Sequence, residues 1–145
     1  MLASTVNRVP EHTASRVNQA IAAETLQSVE QIARQGAGAI ERRLYELNHE
    51  WDIERTLESN AASVALAGVA LGAFVDRRWL LLPAAVGGFL LQHALQGWCP
   101  PLTWFRRLGF RTQSEIDYER YALKALRGDF KVADDPVSAL AAARR

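Results

Sequence analysis

The sequence predicts an all-α protein in which a two-span transmembrane helical hairpin is flanked by amphipathic helices. Three observations carry that expectation. Residues 61–75 and 79–91 contain no Asp, Glu, Lys or Arg, although the 145-residue chain has 17 basic and 16 acidic residues. The second apolar segment is framed by Trp79 and Trp98, as anchoring at a membrane interface favours. The flanking stretches carry apolar residues at helical spacings of three and four. The expected organisation is a helical arm over 1–57, a hairpin with a Cys-Pro turn over 58–112, a C-terminal amphipathic helix over 113–128 and a mobile tail over 129–145.

The opening residues, Met-Leu-Ala-Ser-Thr-Val-Asn-Arg-Val-Pro, have no long apolar core, so no cleaved signal peptide is expected. From Thr13 to Gln35 the residues Ala22, Leu26, Val29, Ala33 and Gly36 form a narrow helical stripe, with Thr13 or Ser15 as the cap. Gly36-Ala37-Gly38 weakens its end, each interior glycine costing about 1 kcal/mol relative to alanine. A second striped helix is expected from Ala39 to Leu57 through Ile40, Leu44, Leu47 and Trp51. Its stripe suits a partner helix or a membrane interface.

Residues 61–75 make about 22 Å of helix, short of the roughly 30 Å of a bilayer's hydrocarbon core unless Leu57–Asn60 continue it. After Asp76-Arg77-Arg78, the segment Trp79–Trp98 is about 30 Å long, with Pro83 near its first turn, where a missing N–H does least harm. A soluble alternative would bury both segments, and the mean hydropathy of −0.10 speaks for it. The flanking stripes, however, are too narrow to cover two helices that are apolar all round. Gly68 and Gly72 offer a small face for close helix packing, and Gly87 and Gly88 are the expected opposing face. Arg42, Arg43 and Arg55 before the first span and Arg106, Arg107 and Arg111 after the second outnumber Arg77 and Arg78 in the loop, so both termini are expected to be cytoplasmic. Beyond Pro100-Pro101, Leu102–Arg107 reads as an amphipathic surface segment. Thr112-x-x-Glu115 opens a helix that Gly128 ends, and Asp134-Asp135-Pro136 interrupts the alanine-rich tail.

Little in this pattern points to a defined reaction. The lone Cys99 excludes an intramolecular disulfide framework and is the candidate thiol, but Pro100 and Pro101 have no N–H with which to cradle an anion. Gln92, His93 and Gln96 are polar groups inside a span, where such groups face a partner helix or a permeation path. Glu46-Leu47-Asn48-His49 has the Glu-x-x-His spacing of carboxylate metal sites, but a di-iron bundle needs a second copy, and neither His12 nor His93 follows a glutamate at that spacing. No metal and no cofactor is expected. The chain has no basic stripe or aromatic ladder, so no nucleic-acid partner is expected either.

Two short spans, then Gly97-Trp98-Cys99-Pro100 and Leu108-Gly109-Phe110-Arg111-Thr112, resemble the YgaP-like inner-membrane transmembrane domain of bacteria over residues 50–112. The matching positions are Gly97, Cys99, Pro100 and Gly109. The resemblance implies a bacterial inner-membrane setting and dimerisation through the spans. Pro101, the long helical arm and the lack of a rhodanese domain in these residues depart from the rhodanese-fused relatives, so sulfurtransferase activity is not carried over. The expected function is non-enzymatic, with the lipid bilayer and either a second copy or a larger membrane complex as partners. The alternatives are a thiol or sulfur relay through Cys99 and passage of a small anion along the second span.

Overall fold

The computed structural model describes residues 4–131 and 135–144, and among them there is helix and no strand. In chain order the helices are α1 (Arg8–Glu11), α2 (Ser15–Gln35), α3 (Ala37–Leu47), α4 (Ile53–Phe74), a 3₁₀ turn (Arg77–Leu80), α5 (Leu81–Gln96), α6 (Leu102–Arg107), α7 (Gln113–Arg127) and α8 (Pro136–Arg144). They belong to two compact units, and these are not the sequential arms expected. The stretch ending at Gln19 joins Trp51–Gln113 in one, and Ala20–Glu50 joins the chain from Ser114 onward in the other.

In the first unit, Asp52 starts α4 by accepting a hydrogen bond from the Arg55 backbone N–H at 2.9 Å. The helix expected to run from Ala39 to Leu57 is therefore two helices. Trp51 lies in the break, exposed, with the Arg55 guanidinium 4.4 Å above its ring. Starting at Ile53 gives α4 22 residues, about 33 Å of helix. After Phe74 the chain reverses, and Asp76 accepts from the Arg78 N–H at 2.8 Å to open the 3₁₀ turn that runs into α5.

The two long helices pack antiparallel. A methyl group on Gly72 would sit 2.6 Å from Leu80 Cδ2, and one on Gly68 would sit 2.6 Å from Pro83 Cδ. Leu80, Leu82 and Pro83 thus fill the small face expected to receive Gly87 and Gly88. A methyl group on either of those two glycines would have nothing within 4 Å. The reason is register: so short a turn places the start of α5, not its middle, beside Gly68 and Gly72.

At the other end of these helices lies the apolar core of this unit: Val9, Ile53, Leu57, Cys99 and Leu102, with Trp98, Phe105 and Phe110 against it. The segment Leu102–Arg107 is amphipathic, with Leu102 and Arg106 buried and Thr103, Trp104 and Arg107 exposed. Arg106 donates from Nε to Thr13 Oγ1 at 3.2 Å, from Nη1 to Phe110 O at 3.0 Å and from Nη2 to Asn18 Oδ1 at 2.8 Å. Thr13, expected as a helix cap, instead donates to Val9 O at 2.8 Å. Arg111 is buried as well, so two of the three arginines counted after the second span are interior groups rather than interfacial charges.

In the second unit Ile40, Leu44, Leu47, Ile116 and Leu123 pack together, with Val29 and Ile32 against them. Leu26 of the expected stripe is 61% exposed, while Ile21 is buried and Ser28 half-buried. The packed face is rotated from the expected one because Ser28 uses it to donate to Glu119 Oε1 at 2.7 Å. Gly36 ends α2 with φ +89°, and Gly128 ends α7 with φ +93°. The expected mobile tail carries α8, whose Ala143 carbonyl accepts from Lys124 Nζ at 2.9 Å. Burial holds the Lys124 ammonium below the usual lysine range. Asp134, in the expected interruption, lies outside the described residues.

Candidate functional site

Where α4 begins and α5 ends, three side chains from separate parts of the sequence meet, Arg8, Glu54 and His93. Glu54, in the first turn of α4, places Oε2 2.7 Å from His93 Nε2 and accepts at Oε1 from Arg8 Nη2 at 2.9 Å. An acidic group in a first helical turn also lies in the favourable field of the helix dipole. A carboxylate paired with a guanidinium can only accept, which assigns the imidazole proton to His93 Nε2. The other nitrogen, Nδ1, is buried without a hydrogen-bond partner among the described residues. His93 is 5% exposed and Cys99 4% exposed.

The turn at Gly97 builds this cluster. Its φ of +78° ends α5, its N–H donates to His93 O at 2.7 Å, and the chain turns so that Cys99 packs with Val9, Ile53, Leu57 and Leu102. A methyl group on Gly97 would lie 2.5 Å from Arg8 Cβ and 2.6 Å from Arg8 O. Only a residue without a side chain lets α1 lie against the turn and deliver Arg8 to Glu54. The result is an imidazole oriented by a carboxylate that a guanidinium holds in its turn.

The other expected site residues are spread around this cluster or apart from it. Gln92 is half-buried and Gln96 exposed, and neither joins His93. Pro100 is exposed in the turn before α6, and Gly109 has φ +89° with open space around it. Glu46 pairs with Arg43 at 3.1 Å, and His49 Nδ1 donates to Tyr45 O at 2.9 Å, so the Glu-x-x-His pair serves local contacts. Among the described residues no group of three or more His, Cys, Asp and Glu is placed to hold a metal ion. Sequence reasoning missed Arg8 and Glu54. The available signal was Glu54 itself, a carboxylate at the head of an apolar helix in a chain whose other apolar helix carries a histidine.

Two further features border the cluster. A cavity of about 200 Å³ between α4 and α5 is lined by Leu57, Ala61, Val64, Phe89, Leu90 and Cys99, among others, and its walls are almost wholly apolar. Beyond it both helices present uncovered apolar side chains. Phe74 is 89% exposed and Leu81 74%, and only 17% and 6% of the most apolar stretches of the two helices are buried. Each of the two is long and apolar enough to cross a membrane. No family model, curated protein or solved structure matches the chain.

Proposed function

We propose that this is a non-enzymatic helical-hairpin protein of the bacterial inner membrane, with α4 and α5 in lipid and both termini cytoplasmic, acting through self-association or as an accessory subunit of a membrane complex. The observation that carries the reading is the uncovered apolar surface of α4 and α5. A water-soluble chain rarely leaves so large a continuous apolar face without a partner, whereas acyl chains solvate it without cost. The YgaP-like resemblance at Gly97, Cys99, Pro100 and Gly109 supports the bacterial setting. Gly87 and Gly88, with open space beside them, support close approach of another helix.

Alkaline carbonate extraction of membranes from cells making the full chain tests the embedding. The protein is expected in the pellet, and its release into the supernatant would overturn the reading. Chemical crosslinking in the same membranes is expected to give a dimer or a mixed complex, and monomer alone would remove the association role.

A second reading, a thiol function at Cys99, is favoured by the place of that thiol on the wall of the apolar cavity, six residues after the imidazole that Glu54 orients. Alkylation of Cys99 by iodoacetamide in membranes is expected to slow on His93→Gln by roughly tenfold or more, since a positioned base contributes at least that much. Equal rates for the two proteins would reject it. Passage of an anion along Gln92, His93 and Gln96 draws no support from this geometry, because His93 is turned onto a carboxylate and the two glutamines do not converge with it.

A further inference from the structure

The apolar length that the hairpin offers to lipid is shorter than the helices that carry it. α4 runs unbroken from Ile53 to Phe74, yet Glu58, Ser59 and Asn60 are exposed on it one turn beyond Glu54. Its first two turns therefore present a carboxylate, a hydroxyl and an amide to the surroundings, and an ionised side chain is kept out of hydrocarbon by the cost of stripping its water. The uncharged run begins at Ala61 and ends at Val75, about 22 Å of helix. Along the 3₁₀ turn and α5, exposed apolar side chains extend from Trp79 to Leu95, about 25 Å. Both lengths fall below the roughly 30 Å of an ordinary hydrocarbon core.

Neither end of the hairpin can supply the missing length. At the turn, Asp76 is exposed and its carboxylate is tied to the Arg78 N–H at 2.8 Å, so it cannot reach away from the backbone. Arg77 and Arg78 are exposed beside it, and Trp79 follows as an interfacial ring, which holds the tip at the headgroups. At the opposite end Glu54 engages Arg8 at 2.9 Å and His93 at 2.7 Å, and that contact fixes α1 and its charge against the hairpin. Sinking this end deeper would carry Glu58 and the whole cluster into lipid. A span too long for its bilayer can tilt, but one too short must draw the bilayer in.

We infer that the lipid partner of this hairpin is a thin bilayer: α4 and α5 gather phospholipids with short acyl chains around them and thin a thicker membrane locally. Short chains meet the charged ends with headgroups and water, whereas long chains lay methylenes against Glu58 and Asp76. The shortfall against an ordinary core is about 5–8 Å, enough to sort lipids around one protein and proteins among membranes. The inference rests on the membrane reading of α4 and α5, which the experiment tests separately.

The purified full-length chain is reconstituted in vesicles of dioleoylphosphatidylcholine brominated at its double bonds, a tryptophan quencher. Dimyristoleoylphosphatidylcholine or dierucoylphosphatidylcholine is then mixed in as the competing lipid. Trp51, Trp79, Trp98 and Trp104 all lie at or beyond the ends of α4 and α5, so their fluorescence reports the lipids in contact with the hairpin. The short-chain lipid is expected to displace the quencher with a relative affinity about threefold or more above that of the long-chain lipid. Replacing exposed residues only, Glu58→Leu, Ser59→Leu and Asn60→Leu together lengthen the uncharged run of α4 to about 28 Å, and the preference is expected to fall toward parity. Equal competition by the two lipids, a preference for the longer one, or a triple variant as selective as the wild type overturns the inference. A chain that floats with the vesicles while showing no preference leaves the membrane reading standing. Failure to float with any of them removes both.

Discussion

Replacing Arg43 by leucine is expected to destabilise the unit containing α3 and α7 by about 3–5 kcal/mol, and replacing Glu119 by leucine is expected to cost much less. The asymmetry follows from burial. The Glu119 side chain is 0% exposed, and it accepts from Arg43 Nε at 2.8 Å and Nη2 at 3.1 Å and from Ser28 at 2.7 Å. Arg43 is 23% exposed at its side chain and has Glu46 at 3.1 Å and Glu50 at 3.7 Å besides. The hydrogen bonds to Glu119 hold the guanidinium protonated, well above the usual arginine range, against the opposing effect of burial. Removing the arginine strands a buried carboxylate without its two-point donor, whereas removing the carboxylate leaves an arginine that water and two other glutamates still satisfy. The double replacement is expected to be milder than Arg43→Leu alone, since it strands nothing. Hydrogen exchange at the amides of Ile116–Lys124 in the full chain reads the effect locally. A Glu119→Leu variant as unstable as Arg43→Leu would contradict the argument.

Gly97→Ala should be the more damaging of two superficially identical replacements. Gly97 and Gly109 have φ of +78° and +89°, and each pays about 1–2 kcal/mol for holding a β-carbon in left-handed backbone. Around Gly109 there is open space, and the cost ends there. At Gly97 the new carbon meets the Arg8 backbone at 2.6 Å, and a carbonyl in a helix cannot turn aside as a flexible side chain can. The variant must lift α1, adding about 1–3 kcal/mol as an overpacked contact does, and lose the Arg8–Glu54 pair. Val9 is packed against Cys99 in the same core, so lifting α1 also uncovers the thiol. Thermal unfolding in mild detergent and the rate of Cys99 alkylation read the two consequences. Faster alkylation and a lower midpoint are expected for Gly97→Ala, and only a modest drop in midpoint for Gly109→Ala. Equal behaviour of the two variants would show that the contact with Arg8 carries no weight.

Both long apolar helices were legible because composition suffices for them: an uncharged run of this length forms a helix whatever it packs against. Their ends were legible only in part. Gly36 and Gly128 marked stops that chain geometry requires, whereas the second span was read through Trp98 to the double proline although Gly97 already ends α5 at Gln96. The break between Leu47 and Ile53 depended on Asp52 capping a new helix inside a run whose stripe continued to Trp51. The face of α2 was misplaced for a related reason. Apolar periodicity selected Leu26, while the packed face includes Ser28, a polar residue whose burial makes sense only once Glu119 lies opposite, 91 residues away.

The cluster divides along the same line. His93 and Cys99 stood out as a polar group and a thiol at the end of a span, but Arg8 and Glu54 did not. Glu54 and His93 are 39 residues apart, and Arg8 and Glu54 are 46. The sequence by itself determined the all-helical character, the two long apolar helices and the glycine stops at Gly36 and Gly128, since these follow from backbone sterics and the period of neighbouring side chains. Tertiary structure alone decided what each face meets: Leu82 and Pro83 in the hollow of Gly68, and α1 against Gly97. The same holds for Glu54 between Arg8 and His93. Partners are chosen by closing loops of tens of residues, and the energy that selects one closure over another appears only when the buried groups are in contact.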